Sequence, residues 1–190
     1  MHESDTTTDR SAVERLLEAT LESIHVHGFG QTTVTTVTDI AGLSRGMVRH
    51  EFGSKQQMVV AALTQLCDRW LGETEPDASL PGDEQVRAIV RAMFTPAAFN
   101  PVNVDAWVAL SVEARSDTEL HEIRSRTQQR WLDQLTAAFA AADVDEPGQA
   151  AAATLATADG LWLQQRLEDS VAESEAATAT VLRVAAALLG

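Results

Sequence analysis

Apolar residues recur every three or four positions along nearly the whole chain, and this period predicts an all-α fold. The first helix carries an apolar stripe from Val13 to Ile24 and ends at Gly28 and Gly30. The next stretch, TTVTTVT, is rich in β-branched residues and would also suit a strand. Its apolar positions nevertheless fall at helical steps, and Thr33 can cap a helix N-terminus. We therefore predict a second helix there.

A short third helix should follow Gly42 and begin at Ser44, and a capping box at Ser54 should open a long fourth helix that ends near Leu71. The proline-containing segment ETEPDASLPGD then interrupts regular structure. Five further helices are predicted at about 83–95, 103–116, 118–142, 148–168 and 172–189. The chain should therefore contain about nine helices.

The charge distribution changes what the composition suggests. A formal net charge of −14 argues against nucleic acid as a partner, because phosphate binding relies on Lys and Arg. Residues 31–57, however, carry three basic and two acidic residues, whereas residues 58–190 carry 9 basic and 20 acidic ones.

The acidic start lacks the basic flank of a signal peptide, and no apolar run reaches the length of a membrane span. We expect a cytoplasmic protein that does not enter membranes.

Residues 31–57 have the pattern of a helix-turn-helix, in which the second helix can enter the DNA major groove. Six apolar positions should hold the two helices together: Val34, Val37, Ala41, Leu43, Val48 and Phe52. Four others are then predicted to face outward: Arg45, Met47, Arg49 and His50. The free N–H groups at the start of the second helix, at Ser44 and Gly46, could also meet a phosphate.

The stretch TTVTTVTDIAGLSRGMVRHEFGSKQQMVVAAL resembles the DNA-binding domain of the TetR family of transcriptional repressors. The segments NVDAWVAL, TELHEIRSRTQQRWLDQL and ADGLWLQQRL resemble the regulatory domain of its choline-responsive BetI branch. The resemblance implies a homodimer that binds a near-palindromic double-stranded operator and responds to a small-molecule effector. It implies a DNA-binding domain at 1–55 and a ligand-binding and dimerisation domain at 56–190. Carried over by position, DNA contacts would come from Thr33, Ser44, Arg45, Gly46, Met47, Arg49, His50 and Lys55.

One residue departs from the family pattern. Members often have Tyr on the DNA backbone where this chain has Glu51, and a carboxylate there repels phosphate. An alternative hypothesis is a protein-interaction module that kept the fold and lost operator binding. Arg45 and Arg49 could equally belong to a solvated helix face, and His50 could serve in packing or capping.

Aromatic residues mark a candidate ligand site in the C-terminal helices. Tryptophan is the strongest cation–π partner, so a cationic or amphipathic ligand fits, although each Trp could also be plain core. The candidates are Met93, Phe94, Phe99, Trp107, Leu110, Trp131 and Trp162. Asp159 lies in an otherwise apolar helix, where a carboxylate needs a partner. It could anchor a cation, pair with Arg166 or with another arginine such as Arg115 across helices, or cap a neighbouring helix.

The last two helices supply more apolar surface than one small chain can cover, which predicts a four-helix dimer interface. Its predicted residues are Leu155, Leu161, Val181, Leu182, Ala185, Leu188 and Leu189.

An enzyme is disfavoured, because no catalytic triad, phosphate loop or paired carboxylate motif is visible. The single Cys67 lies on a packing face, and neither a metal nor a cofactor is expected.

Overall fold

A computed structural model describes residues 11–167 and 174–190, and all regular secondary structure within these ranges is helical. This confirms the predicted all-α fold. The helices are α1 (Ala12–His27), α2 (Val34–Ala41), α3 (Arg45–Glu51), α4 (Lys55–Glu73), α5 (Gly82–Met93), α6 (Pro101–Glu113), α7 (Thr118–Ala141), α8 (Pro147–Leu167) and α9 (Ser174–Leu189). A short 3-10 turn at Phe29–Gln31, which the sequence pattern did not predict, follows α1.

Capping residues explain where the first helices start and stop. Ser11 and Glu14 form a reciprocal capping box at the start of α1. Thr33 caps α2 by accepting a hydrogen bond from the Thr36 amide, so local capping prevails over the β-branched composition. Gly42 ends α2 with a left-handed φ of 63°, a conformation that glycine adopts without strain.

The predicted bounds of α5 to α9 agree with the structure to within three residues where both can be compared. The predicted end at residue 168 and the predicted start at residue 172 lie outside the described residues. α6 begins two residues before its predicted start because Asn100 caps it and Pro101 occupies its first turn.

Two compact units divide the chain after Ala62, within α4. The first unit packs α1, α2 and α3 around a small apolar core with the start of α4. That core consists of Leu16, Ala19, Val37, Ala41, Val48 and Met58. Arg15 closes one side of it by donating a hydrogen bond to the carbonyl of Ala41.

In the second unit α7 packs against α5, α6 and α8, and α9 packs against α5 and α8. The inner face of α7 is buried, through Leu120, Ile123, Thr127, Trp131, Leu135 and Phe139. Cys67 is also fully buried, as expected for a packing residue, and burial raises its pKa to about 11. Among the helices described, none is long and apolar enough to cross a membrane.

Candidate nucleic-acid interface and ligand cavity

The α3 helix presents a basic face to solvent. Val48 is buried in the core of the first unit and fixes how this seven-residue helix is rotated. The side chains of Arg45, Arg49 and His50 are consequently exposed. The structure therefore places three of the four predicted outward residues on an accessible surface.

Met47 differs from the prediction. It is half-buried and packs against the core of the first unit rather than facing solvent. Met47 directly precedes the buried Val48, and a long flexible thioether reaches the core from that neighbouring helical position. Its predicted place on the outward face is therefore wrong.

Three helix N-termini, those of α2, α3 and α4, carry the other predicted DNA contacts. Ser44 and Gly46 are exposed at the start of α3, and the Ser44 side chain makes no capping bond. Thr33 is exposed at the start of α2, where its hydroxyl is used in capping. Lys55 is the first residue of α4 and is half-buried. Backbone N–H groups at such positions are suited to anions.

Glu51, the residue that departs from the family pattern, has a basic neighbour. His50 Nδ1 lies 2.9 Å from Glu51 Oε1, and the Glu51 side chain is 29% exposed whereas that of His50 is 79% exposed. The carboxylate is thus engaged by an imidazole on the same helix, which weakens its repulsion of phosphate whenever that imidazole is protonated.

All four tryptophans meet in the second unit. The Trp70 ring centroid lies 5.9 Å from that of Trp107, 6.1 Å from Trp131 and 5.1 Å from Trp162. The Trp107 and Trp131 rings are 5.2 Å apart in an edge-to-face arrangement, which is favourable for aromatic pairs. The Trp131 indole N–H donates to Thr74 Oγ1 at 3.2 Å and so fixes its ring. Trp70 was not among the predicted ligand residues, because its sequence position indicates only an apolar residue of α4.

A narrow cavity of about 10 Å³, room for about one water molecule, lies beside this aromatic cluster. It is lined by Met93, Trp107, Trp131, Leu155, Ala158, Asp159 and Trp162. Five of the eight predicted ligand residues therefore share one cavity. Phe94, Phe99 and Leu110 are buried but do not line it, and Phe99 packs its ring 5.6 Å from that of Trp162.

Asp159 contributes the one ionisable side chain among the described residues that line the cavity. Burial raises the pKa of its carboxyl, while Arg124 and hydrogen bonds from Gln128 and Trp107 act in the opposite direction. Its cationic partner is Arg124 of α7, with Nη2 at 3.9 Å from Asp159 Oδ2. An arginine on another helix was one of the partners suggested from sequence, and that arginine is Arg124 rather than Arg166, which pairs with Asp105 at 2.5 Å.

Three residues predicted to form subunit contacts are buried within the single chain: Leu155, Val181 and Ala185. They lie on the buried faces of α8 and α9 and are inaccessible to a partner subunit. Their predicted place at a subunit interface is therefore wrong. Leu161, Leu182, Leu188 and Leu189 are half-buried and remain accessible.

Sequence comparisons agree with this architecture. Residues 16–62 match the family described as bacterial regulatory proteins, tetR family. Residues 82–190 match the family described as BetI-type transcriptional repressor, C-terminal. A relative from Burkholderia ambifaria, named HTH-type transcriptional regulator BetI, is 31% identical over 167 residues, which cover 86% of each chain. A relative of the same name from Rhizobium meliloti is 30% identical over 174 residues, covering 86% of this chain and 82% of the relative.

Solved structures show the same fold. A transcriptional regulator from Rhodococcus sp. RHA1 superposes with a TM-score of 0.83 at 25% identity, covering 94% of this chain and 96% of the other. A transcriptional regulator from Saccharomonospora viridis, solved in complex with choline, gives a TM-score of 0.75 at 18% identity, covering 90% and 93%. The helix-turn-helix, the aromatic second unit and these matches agree, and the chain belongs to the TetR family of transcriptional regulators, of the BetI type.

Proposed function

We propose that the protein is a homodimeric repressor whose two α3 helices read the half-sites of a near-palindromic operator. The observation that carries this proposal is the exposed pair Arg45 and Arg49 on a helix that Val48 anchors in the core. An Arg that contacts guanine through two hydrogen bonds discriminates against other bases by about 1–3 kcal/mol. Arg45 is assigned to that role because it lies in the first turn, the part of a recognition helix that reaches base edges.

The number of basic residues at the interface determines how steeply operator affinity depends on salt. With Arg45 on a base, each subunit offers Arg49 and Lys55 to the DNA backbone, so a dimer neutralises at most about four phosphates. The logarithm of operator affinity should then fall with the logarithm of salt concentration with a slope of about −4. Because the rest of the chain is acidic, binding should be confined to this face.

Fluorescence anisotropy with the DNA upstream of the protein's own gene tests this proposal. Arg45→Ala should weaken operator binding by at least about tenfold and reduce the preference for the operator over unrelated DNA. Arg91→Ala, which removes an exposed arginine of the second unit, is the matched control and should change neither quantity. Salt-independent binding, or equal effects of the two variants, contradicts the proposal.

The proposed dimer interface follows exposed small residues on the last two helices. On α8 the exposed small and leucine residues of this face are Ala152, Ala153, Ala156, Gly160, Leu163 and Leu167. On α9 the exposed alanines are Ala176, Ala179, Ala186 and Ala187. Small side chains allow two helices to approach closely, and exposed leucines at one end add apolar area. These faces support a four-helix interface between two copies.

Sedimentation of the wild type and one variant tests the interface. Ala156→Arg places a long charged side chain in the middle of the α8 face and should shift the protein to monomer and weaken operator binding. Ala137→Arg, at an exposed position of α7, should leave a dimer. A wild type that sediments as a monomer at micromolar concentration contradicts this part of the proposal.

The effector we propose is a compact organic cation, with choline as the first probe. The cavity combines tryptophan walls with one carboxylate, a combination that suits a quaternary ammonium group. Its present size requires the walls to move when a ligand enters, as expected for a ligand that shifts a conformational equilibrium. Choline should change tryptophan fluorescence and operator affinity, and its neutral analogue 3,3-dimethylbutan-1-ol should do so much less. Equal responses to both compounds contradict a cation site.

A second candidate function is supported by Glu51 and by the acidic body. In this alternative the chain is a protein-interaction module whose operator binding has weakened. Glu51→Tyr distinguishes the two functions, because it removes the negative charge and restores the residue common in the family. If the wild type does not bind the upstream DNA and the variant does, the interaction module is the better description.

A further inference from the structure

The carboxylate of the cavity already has a cation, supplied by the protein itself. The Arg124 guanidinium carbon lies 4.3 Å from the centroid of the Trp107 ring, well within cation–π distance. Its Nη2 atom lies 3.9 Å from Asp159 Oδ2. Arg124 therefore uses the two kinds of group, an indole face and a carboxylate, that an organic cation would need.

The guanidinium is held in this place by neutral partners as well. Arg124 Nε donates to Ser111 Oγ at 3.0 Å, and Nη1 donates to Gln128 Oε1 at 2.6 Å. Gln128 in turn donates from Nε2 to Asp159 Oδ2 at 3.3 Å. The amide thus links cation and anion. Burial lowers the pKa of Arg124, so this charge is partly removed from water, whereas Arg126 of the same helix pairs with Asp68 at the surface.

Arg124 is close to the cavity without lining it. Trp107 and Asp159 line the cavity and also contact Arg124. A cation in the cavity would share both groups with the guanidinium, and two positive charges so close together repel each other strongly at low dielectric constant. Asp159 can neutralise one of them.

We propose that Arg124 is a resident cation of the effector site: an organic cation that enters the cavity takes over Asp159 and part of Trp107 from the guanidinium. This inference rests on the proposed function, because it assumes a cationic effector. It makes Arg124 a specificity-determining residue that lowers the affinity for any cation and favours those that compensate through contacts with the aromatic walls.

Binding of tetramethylammonium and of neutral 3,3-dimethylbutan-1-ol, followed by tryptophan fluorescence and calorimetry, tests the proposal. Arg124→Gln should bind the cation about tenfold more tightly at about pH 8 and leave the affinity for the alcohol unchanged. Arg124→Lys retains the charge and should stay near the wild type. Arg126→Gln removes a surface arginine of the same helix and is the matched control.

Two further readouts separate competition from a structural role. In Arg124→Gln the Asp159 carboxyl loses a group that lowers its pKa, so the gain in cation affinity should disappear as the pH falls. In the wild type, the Arg124 Nε–H resonance, assigned by its absence from Arg124→Lys, should shift when tetramethylammonium binds. That measurement stands even if Arg124→Gln fails to fold.

The outcomes are distinct. If the wild type binds the cation and Arg124→Gln binds it equally or more weakly, or if the Arg124 resonance does not move, the resident-cation proposal is wrong while the cationic effector stands. If no folded variant and no wild-type sample binds tetramethylammonium or choline, the cationic effector is wrong and the resident cation falls with it.

Discussion

The close contact at Gly82 gives the sharpest prediction about stability. Gly82 is buried at the first position of α5, where it packs against the end of α7. A Cβ atom built on Gly82 would lie 2.3 Å from the Ala141 carbonyl carbon and 2.3 Å from the Ala142 amide nitrogen. Carbon atoms in contact prefer separations of about 3.5–4.0 Å, so α5 and α7 must part by more than about 1 Å.

The expected loss in the free energy of unfolding depends on which atoms must move. Both clashing atoms are backbone, so no side-chain rotation relieves the contact in Gly82→Ala. Overpacking of a core by single methyl or methylene groups costs about 1–3 kcal/mol and sometimes more. Here we expect a loss of about 3 kcal/mol, a large part of the stability of a typical domain. For a chain of this size that corresponds to a Tm lower by about 6–12 °C.

Urea unfolding followed by tryptophan fluorescence measures this loss. All four tryptophans lie in the second unit and are buried, so the signal reports on the unit that holds Gly82. Gly72→Ala in α4 is the control: its Cβ would meet no atom within 4 Å, and the helical position should gain about 0.5–1 kcal/mol. Protein concentration must be constant, because dimerisation contributes to apparent stability. A Gly82→Ala variant within about 0.5 kcal/mol of the wild type would refute the packing argument.

Three further predictions concern single groups. Because burial raises the pKa of Cys67 to about 11, its thiol should resist iodoacetamide at about pH 8 in the native protein and react once urea unfolds it; mass spectrometry checks this. Burial raises the pKa of Asp159, so the affinity of the wild type for choline should fall as the pH is lowered through that pKa. Asp159→Asn should bind choline more weakly, and its affinity should not follow this titration. Calorimetry at several pH values measures both affinities. Ser11→Ala removes the acceptor for the Glu14 amide at 3.2 Å and should cost about 1 kcal/mol in thermal unfolding followed by circular dichroism, whereas Ser11→Asp should not.

The helix-turn-helix was predictable because its signals are local. Thr33 and Gly42 bound α2 through capping and backbone conformation, which depend on a few neighbouring residues. The apolar residues at helical spacing then determine which side of α2 and α3 is buried. The β-branched run did not form a strand because a capped helix could bury Val37 and Ala41 against α1.

The second unit was less predictable at α8, which lacks a clear polar side. α8 is apolar or small over most of its surface, so its sequence did not show that Leu155 points inward while Ala156 and Gly160 are exposed. The partner of Asp159 depends on how α7 packs against α8, a non-local property, and Arg124 was therefore missed. The same reason applies to Trp70, whose neighbours come from three other helices.

Arg124, the proposed resident cation, also explains how the Asp159 carboxylate can lie beside an aromatic cavity. A half-buried carboxylate without a partner would be costly, and Arg124 offsets that cost. When an organic cation replaces the guanidinium, one positive charge substitutes for another, so the carboxylate contributes less net affinity than it would without Arg124. More of the gain must then come from apolar and cation–π contacts with the tryptophan walls. Such a site should distinguish cations by the fit of their alkyl groups more than by their charge, and it should bind simple ammonium or sodium ions poorly.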